Sequence, residues 1–227
     1  MCKQFLILLA IPTIAFGQSI GTQTNTDNFN RANETPLSGG GNWTSTTNRV
    51  DLISNQVTTA GTGSDREAVY AAWANGNDQY SQLKVTVSGT TAGAGFGVSV
   101  RSTTTGSTFN CYRVVLNSDG EYEVCKMVSS SCTSLRTGTL SYVAGTALGL
   151  SVLSTTLKVW YGGTQVGADI TDSGIASGKP GIAYSSTLSV VPTGDDWDAG
   201  TTAAAATNKS KFFLFFGTLC HINFFER

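Results

Sequence analysis

The chain has 227 residues, a net charge of −1 and only 13% charged residues, about half the share of an ordinary globular domain. With no basic excess it lacks the electrostatic footprint of a nucleic-acid binder. Its single histidine, His221, lies within the last seven residues, so imidazole catalysis and histidine-ligated metals are excluded from the body.

Met1 to Gly17 reads as a secretory signal peptide. Lys3 supplies the positive start, Phe5 to Phe16 the apolar stretch, and Ala15-Phe16-Gly17 a small-x-small cleavage site. Residues 18–26 are polar and unpatterned, and are expected to be a linker. From 27 to 200 no Pro/Ser linker or charge block divides the chain, which predicts one domain. Residues 201–227 pass through an alanine run to an aromatic-rich stretch, Phe212 to Phe225. That stretch falls short of the roughly 20 residues of a spanning helix. A weak anchor, a packed strand and a non-native extension all stay open for it. The mature body is expected to have no transmembrane span and to be secreted or held at the cell surface.

Along the body, apolar residues alternate with polar or small ones. A helical turn is expected only around Glu67 to Trp73. Leu83, Val85 and Val87 form one apolar face, and Phe96, Val98 and Val100 another. Leu148, Leu150 and Val152 answer Leu157, Val159 and Tyr161 across a turn at Ser154-Thr155-Thr156. One apolar face per strand is the pattern of antiparallel sheets packed face to face. The fold class is therefore all-β, a two-sheet antiparallel β-sandwich (jelly roll).

One hairpin can be read in register. A three-residue loop, Ser118-Asp119-Gly120, pairs Asn117 with Glu121, Leu116 with Tyr122 and Val114 with Val124, with Gly120 left-handed. The opposite face then carries Cys111, Arg113, Glu121, Glu123 and Cys125, with Arg113 expected to reach Glu123 diagonally. If Val128-Ser129 is the next turn, Cys125 lies opposite Cys132 and a disulfide closes the hairpin. Cys111–Cys125 is the rival pairing, and the fates of Cys111 and Cys220 stay open.

Chemistry-bearing groups are few. Glu121 and Glu123 are paired carboxylates on one strand face, the equipment of a glycosidase, although an exposed hairpin face beside Arg113 is the plainer reading. Asp195 and Asp196, with Asp198, could offer oxygen ligands to a structural calcium ion. No Gly-rich stretch has a phosphate-loop pattern. Trp160 is out of phase with Leu157, Val159 and Tyr161, so it should point away from the core. An outward ring there is a candidate platform for a sugar, with Trp73 and Tyr184 as further stacking surfaces. The competing reading is that a second layer covers it.

Asp27-Asn-Phe-Asn-Arg-Ala32 followed by Gly41-Asn-Trp43 resembles the opening of laminin-G-like modules in the concanavalin A-like lectin/glucanase superfamily. Asn77-Asp-Gln-Tyr-Ser-Gln-Leu-Lys-Val85, Leu148-x-Leu-x-Val152, Leu157-Lys-Val159 and Asp195-Asp-Trp197 look like later strands of the same modules. Thr171 to Ile182 is similar to their late loop. The resemblance spans about 27 to 200 and implies a jelly roll that binds carbohydrate or another extracellular ligand, often with calcium. The glucanase branch carries Glu-x-Asp-x-x-Glu, whereas this chain reads Glu121-Tyr-Glu-Val-Cys-Lys126. Lys126 stands where the last acid would be, so the resemblance implies a non-catalytic carbohydrate-binding or adhesive module. The alternatives are a divergent glycan hydrolase or lyase using Glu121 and Glu123, and a purely structural envelope protein.

Overall fold

The period-2 alternation resolves into two antiparallel sheets, as expected from the sequence. The computed structural model describes residues 19–46, 49–59, 65–87, 95–105, 108–185 and 192–203. The expected signal peptide and the tail beyond residue 203 lie outside these residues. One sheet contains β1 (Thr22–Asp27), β3 (Val50–Ile53), β4 (Gln56–Thr59), β6 (Gln79–Val87), β11 (Thr146–Leu153), β12 (Thr156–Tyr161), β13 (Thr164–Thr171) and β15 (Thr193–Thr201). Its order is β13-β12-β11-β6-β15-β4-β3, with β1 also paired to β15. The other contains β2 (Trp43–Ser45), β5 (Arg66–Tyr70), β7 (Gly95–Thr105), β8 (Thr108–Leu116), β9 (Glu121–Val128), β10 (Ser131–Thr139) and β14 (Lys179–Ser185), in the order β10-β9-β8-β7-β14-β5-β2. Among the described residues, no helix is long and apolar enough to cross a membrane.

Each sheet contributes one apolar face to a shared core. Leu83, Val85, Leu148, Leu150, Val152, Leu157 and Val159 come from the eight-stranded sheet. Phe96, Val98, Val100, Tyr112, Val114, Leu116, Tyr122 and Val124 come from the seven-stranded one. The core's largest fully buried residue is Trp197 on β15, 4.7 Å from the Trp43 ring and 4.9 Å from Tyr70. Its indole N–H donates to Ser81 Oγ at 2.8 Å, and Ser81 donates across the sandwich to the Gly181 carbonyl at 2.8 Å.

Two hairpins pair the expected apolar residues, although the second turns on Ser154-Thr155 alone, with Thr156 already in β12 opposite Leu153. Leu116 lies opposite Tyr122 and Val114 opposite Val124, with Gly120 at φ 84°. Leu148, Leu150 and Val152 lie opposite Tyr161, Val159 and Leu157. The β9–β10 hairpin departs from expectation, because Ser129 and Ser130 form the turn, at φ 49° and 62°. Val128 then faces Ser131 and Cys125 faces Ser134. Cys125 and Cys132 are nevertheless disulfide-bonded across the diagonal, with Cα atoms 5.4 Å apart, and Cys111 is a free buried thiol. A two-residue slip keeps both cysteines on the same face, which is why the pairing survives the error in the turn.

Two expectations fail here. Glu67 to Trp73 is not a helical turn: Arg66–Tyr70 is strand β5, between β14 and β2. Both of its faces are buried, which hides the alternation that marks a half-exposed strand. The expected linker at 18–26 holds all but the last residue of β1, which pairs from Thr22 with Thr201 to Asp27 with Trp197.

The Asp27–Ala32 segment is a structural knot. The Asp27 carboxylate accepts from the Trp43 indole at 2.8 Å, the Arg31 guanidinium at 2.6 Å and the Phe29 amide at 2.9 Å. Glu34 binds Arg31 and the amides of Ser38 and Gly39. Burial opposes its ionisation, but the Arg31 bond and the two amides outweigh it and lower Glu34 to about 2.

Candidate functional site

The expected stacking platforms are not on the surface. Trp160 does point away from the core that Leu157, Val159 and Tyr161 line, as its phase required, but it is only 3% exposed. Its indole donates to Ser151 Oγ at 2.8 Å. Gly149, opposite Trp160, explains part of the cover: a Cβ there would come within 2.6 Å of Ile20 Cδ1. The N-terminal segment therefore lies against the outer face beside the ring. Trp73 is 7% exposed and donates to the Gly76 carbonyl, and Tyr184 is 0% exposed in the core. None of the three offers a free ring face, because each is covered by packing that strand phase does not reveal.

The acidic run is likewise dispersed. Asp196, at φ 47°, pairs with Lys84 at 2.7 Å, and Asp195 accepts the Asp196 amide. Asp198 accepts from Gln82 at 2.7 Å, and burial raises its carboxyl. No three of these oxygens converge among the described residues, so the donor set does not fit a calcium cage. Arg113 does not reach Glu123 either. It is 2% exposed and pairs with Asp65 at 3.2 Å, because β8 brings it toward the body of the sheet rather than the hairpin tip. Glu121 accepts from Asn117 at 3.0 Å, and both Glu121 and Glu123 stay on β9.

What the fold does assemble is a trough of about 390 Å³ on the seven-stranded sheet. It is lined by Thr44 of β2, Val69 of β5 with the following Ala71, Ser102, Thr103 and Thr104 of β7, and Gly178 and Lys179. The outward phase follows from the inward one: Trp43, Ala68 and Tyr70 face the core, so Thr44 and Val69 face away. A register shift between Val100 and Thr103, with Arg101 at φ 52°, brings Ser102 opposite Lys179. The Lys179 ammonium donates to the Ala71 carbonyl.

Beneath the trough is a polar cluster that composition gave no sign of. Glu67, on the same face of β5 as Val69, is 0% exposed. Its carboxyl accepts from Ser102, whose Oγ is 3.0 Å from Ser99 Oγ. Burial raises Glu67 from 4.5 to about 7, against the pull of Ser102, Ser99, Cys111 and the charge of Arg113. The outward parity of Glu67 on β5, Ser99 on β7 and Arg113 on β8 is the available signal, and reading β5 as a turn hides it.

This cluster carries a pH dependence. In the fold Glu67 keeps its proton up to about pH 7, whereas in the unfolded chain it loses it near 4.5. Between those values the unfolded state binds fewer protons, so stability falls as pH rises and is level above the window. Glu67→Gln is isosteric and does not titrate. The wild-type stability, less that of the variant, should decline by roughly 3 kcal/mol across the window. Urea unfolding at closely spaced pH values measures it; a constant difference would mean that folding does not raise the Glu67 carboxyl.

No family model and no curated protein matches the chain. Solved structures do. The fold superposes on the carbohydrate-binding module CBM66 from Bacillus subtilis with a TM-score of 0.54 at 13% identity, over 68% of this chain and 91% of that one. The VIP36 exoplasmic/lumenal domain, in its Ca2+/Man3GlcNAc-bound form, gives 0.55 at 12% identity, over 88% and 100%. The GH43 BlXynB protein from Bacillus licheniformis gives 0.54 at 14% identity, over 79% of this chain and 40% of that one. At such identities the likeness is one of fold, and the fold is the concanavalin A-like jelly roll.

Proposed function

We propose that the chain is a secreted, non-catalytic module that binds glycan in the trough on the seven-stranded sheet. The observation that carries this reading is the trough itself. Its volume falls within the roughly 300–1,000 Å³ of small-ligand clefts, and its lining mixes hydroxyls, an ammonium and small apolar side chains. Sugar hydroxyls would bond to Thr44, Ser102, Thr103, Thr104 and Lys179, and C–H faces would rest on Val69 and Ala71. A carbohydrate-binding module and a mannoside-bound lectin domain among the structural neighbours support the class of ligand.

The GH43 neighbour keeps hydrolysis as the second reading. Hydrolysis needs two carboxylates flanking one bond, either about 5–5.5 Å or about 6.5–9.5 Å apart. The trough lining contains none. Glu121 and Glu123 are on β9, separated from β14 by β8 and β7.

Affinity electrophoresis through polysaccharide gels tests both readings. Wild type should be retarded by at least one polysaccharide. Thr44→Trp, which fills the trough from an exposed edge position, should weaken retardation at least about tenfold, and Lys179→Met should do so several-fold. Because no calcium cage is gathered at Asp195 and Asp196, a chelator should leave retardation unchanged. Retardation that ignores Thr44→Trp would remove the trough from the reading, and steady release of reducing sugar would replace binding with hydrolysis.

A further inference from the structure

We propose that the β9–β10 hairpin becomes a metal site when its disulfide is reduced, with the Cys125 and Cys132 thiolates and the Glu123 carboxylate as three ligands for a zinc-class divalent cation. The two Sγ atoms and a Glu123 oxygen already lie within 4.8 Å of one another. Zinc requires about 2.3 Å to sulfur and about 2.0–2.2 Å to oxygen, so all three can reach one ion once the sulfurs separate. The cysteine Cα atoms, 5.4 Å apart across paired strands, need little backbone movement for this.

Three further features favour the site. Cys132 is exposed while Cys125 is 0% exposed, so a reductant can reach the bond from solvent and the inner ligand is held by packing. Glu123 is half-buried and makes no ion pair among the described residues. The cation that could have neutralised it, Arg113, is committed to Asp65. Two thiolates and a carboxylate are the soft and borderline donors that zinc prefers, with water left to fill the fourth position.

The chemistry balances with a thiol reductant. Two reductant thiols supply two electrons and two protons and become a disulfide. The Cys125–Cys132 bond opens to two thiols, and metal binding then releases those two protons to solvent. In the oxidised state the same residues are closed by the covalent bond, so the hairpin is pinned either by sulfur or by metal.

Cobalt(II) is the probe, added to the full-length chain before and after reduction. The reduced wild type should develop thiolate-to-cobalt charge transfer in the near ultraviolet and tetrahedral d–d bands in the red, displaced by zinc. The oxidised protein should show neither. Glu123→Gln and Cys132→Ser should each weaken cobalt binding at least about tenfold, whereas Cys111→Ser should leave it intact. Circular dichroism of each variant confirms that the strands are retained. Three results would overturn the proposal: no bands in the reduced wild type, Glu123→Gln binding as tightly as wild type, or bands that survive Cys132→Ser and disappear with Cys111→Ser.

Discussion

Arg113→Met should destabilise the fold by about 3–5 kcal/mol at neutral pH, the usual cost of removing one member of a buried ion pair. Methionine keeps most of the stem's volume, so the loss would report charge and hydrogen bonds. The guanidinium donates to the Tyr184 carbonyl at 3.2 Å and to Ser185 Oγ at 3.3 Å, and it pairs with Asp65 at 3.2 Å. Its charge also favours the ionised form of Glu67. Without it, Glu67 should hold its proton to a higher pH, and the window of declining stability should extend upward. Chemical unfolding of Arg113→Met alone and combined with Glu67→Gln measures both effects. The double variant should recover part of the loss at pH 8, because the fully buried Glu67 carboxylate is then gone and only Asp65 is left without its cation. A loss below about 1 kcal/mol would place the guanidinium among exposed pairs, whose worth is that small.

Trp197→Ala should cost about 3–5 kcal/mol, the range for truncating a large buried aromatic residue. The ring is 1% exposed and packs at 66° to Trp43, so its removal opens a cavity where the two sheets meet. It also strips a donor from Ser81, whose own hydroxyl continues to the Gly181 carbonyl on the opposite sheet. Trp197→Phe separates the two contributions: it keeps most of the ring area and loses the N–H, and should cost about 1–2 kcal/mol. Thermal unfolding of both variants checks the split. Equal costs would assign the whole effect to the indole hydrogen bond.

The sequence reveals strand phase well and coverage poorly. Gly120 and the alternation of Val114, Leu116, Tyr122 and Val124 allow only one comfortable register, and that register is found. Trp160 likewise faces away from the core, as its phase required. What phase cannot supply is the second layer: Ile20 approaches Gly149 from a segment with no apolar pattern of its own. Glu67 was missed for the complementary reason. A carboxyl at an outward position looks solvated until Ser99, Ser102 and Arg113 arrive from strands distant in the chain. Hairpin register alone points Arg113 diagonally to Glu123, whereas Asp65 is brought to it only by tertiary structure.

The register shift in β10 bears on how the molecule behaves in a crowd. Long outer strands tend to recruit strands from other molecules, and β10 is a nine-residue strand at the margin of its sheet. Between Ser134 and Arg136 its pairing ladder is broken. The Arg136 guanidinium donates to the backbone carbonyls of Ala168 and Asp169 in β13, the margin of the other sheet. The two margins on that flank are thereby tied to each other. At the opposite flank the outermost strands are only three and four residues long. Both flanks discourage growth by strand addition, a safeguard against aggregation for a protein whose described residues are mostly strand.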